Sequence, residues 1–323
     1  MDLKVAYVGA TWEGGVDEEN DLLLLILKKM NRGQVKLVSS PKQADLLVAY
    51  PYVVGSLAFK LKWVIGIVMR RLGVFKDRSR LFRWLIGTGR KPVLFVSPEN
   101  LDRPFWWSML GKFLIDSDVP RLTFWPPEID PVGVRFPYWY NYVDWPQYPR
   151  GNFYNRFGRL YRLEELMSPL PHPIERKDRA VSISSHLDHP RRGLLSNLKS
   201  LMAVDSFGAA ATRFSGGKLD LMCEYKYAFC AENSVGYGYD TEKIPEAWVA
   251  GCVPVGFYLN PFSDFNPEIA KCAQGNSEAA YHSPLLLKQP ELSRVENYVG
   301  KFLRESFTDH AHLQGRGSFS RCA

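Results

Sequence analysis

The sequence is poor in cysteine and offers no arrangement of it that predicts a cross-linked or metal-bound fold. Only five of the 323 residues are cysteine, and no two of them form a C-x-x-C pair. An odd, scattered set argues against a disulfide framework and against a zinc site. The sequence therefore predicts a protein of a reducing, cytoplasmic environment.

Long apolar runs are also missing. None approaches the roughly 18–20 residues that a bilayer-spanning helix needs, and residues 1–8 (MDLKVAYV) lack the basic-then-apolar pattern of a signal peptide. We expect a cytoplasmic protein whose contact with a membrane, if it has one, is peripheral and at the inner face.

Several ligand-binding motifs are absent too. There is no P-loop ending in Gly-Lys-Ser/Thr and no G-x-G-x-x-G fingerprint. The six histidines have no spacing typical of a ligand cluster, and the D-x-D triplet at 116–118 is too short to predict a metal site on its own. We predict no metal site and no required cofactor, with a divalent ion at most stimulatory.

Positive charge is abundant in one place only. Between positions 60 and 91 ten Lys or Arg stand against a single acid, Asp77, so this segment carries +9 and the rest of the chain −2. Aromatic and aliphatic residues interleave with the cations, as in a helix pair that lies on an anionic membrane. A merely solvated helical face is the rival interpretation. Nucleic-acid binding is a weaker one, since no nucleic-acid motif accompanies the patch, and we predict no nucleic-acid partner.

The order of apolar runs predicts an α/β protein in two halves. Strands are expected near 4–8, 35–38, 45–49, 92–96 and 113–115, with a helix beginning at Leu22. After a Pro-rich linker at 167–173, strands are expected at 180–184, 227–230 and 252–257, and helices at 192–201 and 242–250. Two such halves imply a cleft between them, a favoured place for ligands.

Residues 227–257 hold the most informative pattern. The strand at 227–230 should deliver Glu232 and Asn233 to the carboxyl edge of its sheet, where ligands bind. Lys243 then lies in the first turn of the next helix, where a cation has the wrong sign for the helix dipole. The lysine and the helix terminus together would suit a diphosphate. A lysine pointing into solvent is the other interpretation.

These residues carry a resemblance to a known family. Positions 232–244 read E-N-S-V-G-Y-G-Y-D-T-E-K-I and 250–255 read A-G-C-V-P-V. Both resemble the signature of α-1,3-fucosyltransferases of the bacterial type, glycosyltransferase family 10. The segments S-D-F-N-P at 263–267 and V-R-F-P-Y-W-Y at 134–140 are similar to family segments as well.

The resemblance implies the GT-B fold, in which two Rossmann-like domains face a cleft. It assigns residues 1–170 to an acceptor-binding domain, which holds the basic insert 60–91, and residues 171–323 to a GDP-fucose-binding domain. By resemblance, Lys243 would hold the donor diphosphate, and Asn233, Tyr239 and Glu242 would contact the nucleotide or the sugars. Further candidates for this site are Glu232, Tyr237 and His186.

A second diphosphate ligand is expected from S-S-H-L-D-H-P-R-R at 184–192, which occupies the place of a family segment with a phosphate-binding arginine. Arg192 fits best, with Arg191 as the alternative because the local register is uncertain. Arginine suits this task because its planar fork binds phosphate through two parallel hydrogen bonds.

The catalytic base is expected in the first half. The segment V-L-F-V-S-P-E-N at 93–100, followed by Pro104, puts Glu99 just past the end of a strand. It is similar to the family's Glu-Asn segment, so the resemblance implies that Glu99 is the base.

The function expected from the resemblance is inverting transfer of L-fucose from GDP-fucose to a GlcNAc-containing glycan, in α-1,3 linkage on a lipopolysaccharide or Lewis-type acceptor. Two other readings stay open. One is another GT-B transferase with a different sugar or acceptor, and the other is a non-catalytic glycan- or nucleotide-binding module.

Overall fold

The computed structural model describes residues 2–9, 16–32, 34–52, 57–75, 77–89, 91–102, 106–150, 159–172, 175–209, 211–257 and 263–315. The side chains of residues 57, 58, 106, 107, 273 and 308–315 are outside this description. Pro104 of the Glu-Asn segment, Pro173 of the linker and two cations of the basic insert, Lys76 and Arg90, also lie outside it.

The N-terminal half is a parallel six-stranded sheet of order β2-β1-β3-β4-β5-β6. Its strands are β1 (Leu3–Val8), β2 (Val35–Leu37), β3 (Leu46–Ala49), β4 (Val93–Val96), β5 (Arg121–Thr123) and β6 (Val134–Arg135). Its helices are α1 (Leu22–Asn31), α2 (Leu57–Arg71), α3 (Arg78–Leu85) and α4 (Trp106–Ile115). The central strands β3 and β4 are buried along their whole length, which explains their continuous apolar sequences.

The C-terminal half is a smaller parallel sheet of order β10-β9-β7-β8. Its strands are β7 (Lys177–Ile183), β8 (Val204–Phe207), β9 (Tyr225–Phe229) and β10 (Val253–Val255). Its helices are α5 (Leu163–Leu166), α6 (Arg191–Leu201), α7 (Lys218–Met222), α8 (Lys243–Val249), α9 (Ala270–Ala273), α10 (Ala279–His282) and α11 (Leu292–Gly315). Short 3-10 turns lie at Tyr138–Tyr142 and Pro267–Ile269.

This architecture confirms the predicted α/β class with two parallel sheets, although one strand was wrong. The segment 113–115 is the end of α4 and not a strand. Leu110, Phe113 and Leu114 are all buried, and their i, i+3, i+4 spacing places them on one side of a helix. The short strands β5, β6 and β8 were not predicted, because two to four residues show no usable periodicity.

The last helix returns to the first half. Glu296 of α11 pairs with Lys29 of α1 at 3.1 Å, and the Tyr298 hydroxyl accepts a hydrogen bond from the backbone N–H of Arg121 at 3.1 Å. The boundary predicted at residue 170 stays a prediction. The structure adds that the C-terminal element packs on the N-terminal sheet.

Arg135, at the end of β6, connects the two halves. Its Nε and Nη2 donate to the two carboxylate oxygens of Asp264 at 2.9 and 2.7 Å, and its Nη1 donates to the carbonyl of Gly238 at 2.9 Å. The Trp139 indole N–H donates to the same Asp264 carboxylate at 3.1 Å. A bidentate pair of this kind fixes direction as well as distance, so the two halves are held in one register at the cleft.

We predict that Arg135→Met destabilises the protein by about 3–5 kcal/mol, because it leaves Asp264 and the nearby Asp240 without their shared cation. Chemical denaturation measures this change in the free energy of unfolding. Arg179→Met is the matched control: it removes an exposed pair with Asp205 and should cost no more than about 1 kcal/mol. Equal losses in the two variants would contradict the role assigned to Arg135.

Candidate functional site

A cavity of about 450 Å³ opens between the two halves and is lined by both of them. The N-terminal half contributes Pro98, Glu99 and Tyr138. The C-terminal half contributes polar residues from three segments, which are Ser184, Ser185, His186, Arg191, Lys218, Asn233, Tyr239, Thr241, Glu242 and Lys243. Ile183, Gly208, Ala209 and Phe214 complete the lining. The structure therefore brings most of the predicted site residues to one place.

Strand ends explain this convergence. Glu99 follows β4, His186 follows β7, and Asn233 follows β9. All of these strands are parallel to their neighbours, so the loops that follow them emerge at the same edge of each sheet. The edges of the two sheets face each other across the cavity.

Glu99 is held by a tyrosine from the neighbouring strand. The Tyr52 hydroxyl donates to Glu99 Oε1 at 2.7 Å, and the Ser97 hydroxyl donates to the Glu99 carbonyl at 2.7 Å. Tyr52 lies just past the end of β3, at the same edge as Glu99. A carboxylate fixed in this way can accept a proton from a group in the cavity.

The arginine that faces the cavity is Arg191. It is buried, it lines the cavity, and it donates from Nε to the Ala231 carbonyl at 3.1 Å. Arg192 is exposed and is not part of the lining. Of the two alternatives for the diphosphate ligand, the placement favours Arg191 over Arg192. One residue of helical rotation, about 100°, separates the inward side chain from the outward one.

Lys243 is surrounded by acceptors. Its Nζ pairs with Glu232 at 2.9 Å and with Glu242 at 3.5 Å, and it donates to the Thr241 hydroxyl at 2.6 Å. These carboxylates offset the unfavourable position of a cation at the start of α8. With seven residues α8 is short, so we assign the positive charge here to side chains and not to the helix terminus.

Glu242 stays ionised through this network. Burial by itself acts to raise the pKa of Glu242, but the ammonium groups of Lys243 and Lys218 lower it to about 2. The carboxylate is therefore a pure hydrogen-bond acceptor at any physiological pH. Such an acceptor on a cavity wall suits a ligand with hydroxyl groups.

Lys218 was not predicted and contributes another cation. It lies at the start of α7, lines the cavity, and pairs with the buried Glu246 of α8. Burial raises the pKa of the Glu246 carboxyl, against the effect of Lys218. The only sequence signal was the preceding Gly216-Gly217 turn, which carries no chemistry of its own. Tyr52 was also missed, although the strand-end rule that located Glu99 applies to it equally.

Arg191 differs from the two lysines in its partners. Within the described ranges it forms no ion pair, and its hydrogen bonds go to the carbonyls of Ala231 and His186. Lys218 and Lys243 each have carboxylate partners. The charge of Arg191 is thus the least neutralised by this chain, which makes it the strongest candidate anchor for an anionic ligand.

The loop between β9 and α8 that contains Gly236 and Gly238, here called the glycine-rich loop, is fixed against the N-terminal half by Asn100. The buried Asn100 amide donates to Ser234 Oγ at 3.0 Å and to the Val235 carbonyl at 2.9 Å. A Cβ at Gly236 would lie only 2.7 Å from Asn100 Oδ1, so a side chain there would displace the amide. Gly236 is therefore required for the close approach of this backbone to Asn100.

The remaining predicted residues divide into two groups. Tyr239 is buried, its hydroxyl donates to Asn233 Oδ1 at 3.3 Å, and its ring packs on Phe124. Both Tyr239 and Asn233 line the cavity. Glu232 stands behind Lys243 and outside the lining, while Tyr237 is exposed and also outside it.

The described residues contain neither a metal-binding cluster nor a membrane-spanning helix. No group of three or more His, Cys, Asp or Glu in that part of the chain is arranged to hold a metal ion. In the D-x-D triplet, Asp116 pairs with Arg78 at 2.7 Å and Asp118 accepts from the Ser79 hydroxyl. In the same ranges there is no helix with the length and apolar character needed to cross a membrane.

Fold and cavity together define a class: an α/β protein of the GT-B type, with a cavity between two parallel sheets. Crystal structures of α1,3-fucosyltransferase share this fold. One matches with a TM-score of 0.57 at 18% identity, covering 94% of this chain and 90% of that one. A structure with GDP and one with GDP-fucose give TM-scores of 0.55 and 0.54, at 17% and 16% identity and with coverage of 94% and 93% of this chain and 90% of each of those.

A curated relative gives a local sequence match. The α-(1,3)-fucosyltransferase FucT of Helicobacter pylori is 40% identical over 53 residues, which is 16% of this chain and 11% of that protein. The match thus spans about a tenth of the relative's length. No protein-family model matches the chain. The predicted resemblance to bacterial α-1,3-fucosyltransferases is confirmed by these similarities.

Asp240 gives the site a pH-dependent contribution to stability. The residue is buried beside Arg135, with 3.8 Å between Asp240 Oδ2 and Arg135 Nη2. Burial raises the pKa of its carboxyl to about 7, against the attraction of Arg135, and the charge of Asp264 adds to the rise. Between about pH 4 and 7 the folded protein therefore holds a proton that the unfolded chain has released. As a result, rising pH lowers the stability across this window.

We predict that Asp240→Asn removes this contribution. Relative to the unmutated protein, the variant should be more stable at pH 8 than at pH 5, with a free energy of unfolding larger by on the order of 2–3 kcal/mol. Chemical denaturation at the two pH values measures the difference. Asp178→Asn, at an exposed carboxylate, should show almost none. If Asp240→Asn shifts stability equally at both pH values, Asp240 does not titrate in this window.

Proposed function

We propose that this chain is a glycosyltransferase that transfers L-fucose from GDP-fucose to a GlcNAc-containing glycan with inversion at the anomeric carbon. One observation carries the proposal. Glu99 of one half and Arg191 of the other face the same cavity. A general base and a cationic side chain that can bind an anion therefore flank a space of nucleotide-sugar size.

The donor diphosphate is assigned to the C-terminal wall. Arg191 is its main ligand, because the charge of Arg191 is less neutralised by neighbouring carboxylates than the charges of Lys218 and Lys243. Lys218 and Lys243 lie on the same wall and add positive potential. Preorganised cations of this kind stabilise the charge that develops on a leaving group, and in this proposal they do so without a divalent ion.

The sugars and the nucleotide are assigned to the polar residues beside these cations. The ionised Glu242 accepts hydrogen bonds from sugar hydroxyls. Asn233 and Tyr239 are hydrogen-bonded to each other in the loop that follows β9, and a nucleotide binds beyond the strand ends in open parallel sheets. Glu232 acts through Lys243 as a positioning residue.

The reaction follows from this arrangement. Glu99 accepts the proton of an acceptor hydroxyl, and the hydroxyl oxygen attacks the anomeric carbon of fucose. The bond from that carbon to the diphosphate oxygen breaks, and the electron pair leaves with GDP. A single displacement from the opposite side inverts the anomeric carbon. Tyr52 keeps the carboxylate aimed into the cavity.

The comparisons support the donor. α1,3-Fucosyltransferases of this fold have been crystallised with GDP and with GDP-fucose. For the acceptor we propose the 3-hydroxyl of GlcNAc in a lipopolysaccharide or Lewis-type glycan, approached from the N-terminal half. A nucleotide panel in a thermal-shift assay tests the donor: stabilisation by UDP or ADP but not by GDP would assign the site to another sugar nucleotide.

We predict that Glu99→Gln abolishes fucose transfer while leaving the affinity for GDP within about twofold. The amide keeps the shape of the side chain but cannot accept the proton. Removal of a general base typically costs about 10²–10⁴ in rate. Release of GDP from GDP-fucose with a panel of GlcNAc and LacNAc acceptors measures turnover, and titration calorimetry measures GDP binding.

The control for this variant is Glu128→Gln, at an exposed glutamate, which should keep full turnover. A Glu99→Gln protein that transfers fucose at the normal rate would show that Glu99 is not the base.

We predict that Arg191→Met weakens GDP binding by about tenfold to a hundredfold, as expected for a lost hydrogen bond to a charged group. Methionine retains much of the apolar stem, so the start of α6 should stay folded. Arg192→Met is the matched control and should change the GDP affinity by less than about twofold, because Arg192 lies outside the cavity lining. Calorimetry that gives the reverse order would assign the diphosphate to Arg192.

A further inference from the structure

The basic insert carries an exposed apolar face. Leu61, Val64, Ile65, Val68 and Leu72 have 58%, 57%, 51%, 52% and 72% of their surface exposed. With 3.6 residues per turn, these positions lie on one side of α2 and of the turn that follows it. Contiguous apolar surface of this kind marks an interaction site. We call these five residues the apolar stripe.

The opposite side of α2 is fixed to the protein. Phe59 and Trp63 are buried, and the ring of Trp63 packs edge-on against Phe113 of α4. Gly66 lies so close to α3 that a Cβ there would approach Leu81 Cδ1 to 2.8 Å. The helix is thus held by its inner side. The stripe is a second apolar side, one that the core of the protein does not explain.

Cations border the stripe. A cavity of about 600 Å³ between α2, α3 and α4 is lined by Arg70, Arg71, Arg78 and Lys112, above an apolar floor that includes Ile67. Its one acid, Asp116, pairs with Arg78 at 2.7 Å. On α2, Ile67 and Arg71 lie three residues after the stripe residues Val64 and Val68, respectively. Residues three apart are neighbours on a helix surface, so the cationic cavity adjoins the apolar stripe.

We propose that this face docks on an anionic phospholipid membrane. The apolar stripe inserts at the level of the headgroups, and Arg71 and Lys112 contact lipid phosphates. An amphipathic surface with cations beside its apolar side is the pattern that lies in a membrane interface, and anionic lipids attract juxtamembrane Lys and Arg. A second copy of this chain is a poor occupant, because it would bring one segment of +9 against another.

The experiment measures flotation of the full chain with vesicles of phosphatidylcholine alone and of phosphatidylcholine mixed with an equal amount of phosphatidylglycerol. We expect binding to the mixed vesicles only, weakened by added salt. The pair Ile65→Ser with Val68→Ser should weaken binding by more than about tenfold. Arg71→Gln and Lys112→Gln should each weaken it by about fivefold.

Matched controls separate this surface from general effects. Leu201→Ser with Leu287→Ser replaces two apolar residues that are 82% and 66% exposed elsewhere, and Lys199→Gln with Lys288→Gln removes two exposed cations. Both double variants should leave vesicle binding unchanged. Chemical denaturation should give an unchanged free energy of unfolding in every variant, which shows that the fold is intact.

Three outcomes would overturn the proposal. The first is a chain that does not float with anionic vesicles. The second is a stripe variant that binds them as tightly as the unmutated protein. The third is a concentration-dependent dimer in sedimentation velocity that the stripe variant abolishes, which would assign the face to a second copy. None of these outcomes bears on the donor chemistry, so the two proposals fail independently.

Discussion

The pair between Arg135 and Asp264 is the interaction on which the geometry of the cleft depends. Arg135 ends the last strand of the first sheet, and Asp264 follows the last strand of the second. The same guanidinium also binds the carbonyl of Gly238. One side chain therefore orients both the second sheet and the glycine-rich loop relative to the first half. The bidentate geometry fixes angle as well as distance, which a single hydrogen bond would not.

The three cations that line the cavity differ in how far neighbouring carboxylates neutralise them. Lys243 and Lys218 are each bound to carboxylates, so they contribute potential without an uncompensated buried charge, which would be costly. Arg191 is held by backbone carbonyls and keeps its charge available to a ligand. Glu232 and Glu242 hold Lys243 in place, and Glu246 holds Lys218, so both lysines are positioned before any ligand arrives.

Much of this was readable in the sequence, for particular reasons. The strands β3 and β4 are continuous apolar runs because both of their faces are covered. The rule that ligands meet strand ends placed Glu99 and Asn233 at the sheet edges, and the family resemblance implied their roles. The mixed basic and apolar insert was correctly predicted as a helix pair. The strand at 113–115 was wrong because a three-residue apolar run does not distinguish a strand from the end of a helix.

The sequence by itself determined the class of fold, the positions of its long elements and the chemical types that meet at strand ends, because these depend on local periodicity and on residue character. Only the tertiary structure decided that Arg191 faces the cavity and Arg192 does not, that Lys218 joins the cationic wall, and that Lys243 is balanced by Glu232. Those outcomes depend on the direction of single side chains and on distances between segments far apart in the chain, which no local pattern encodes.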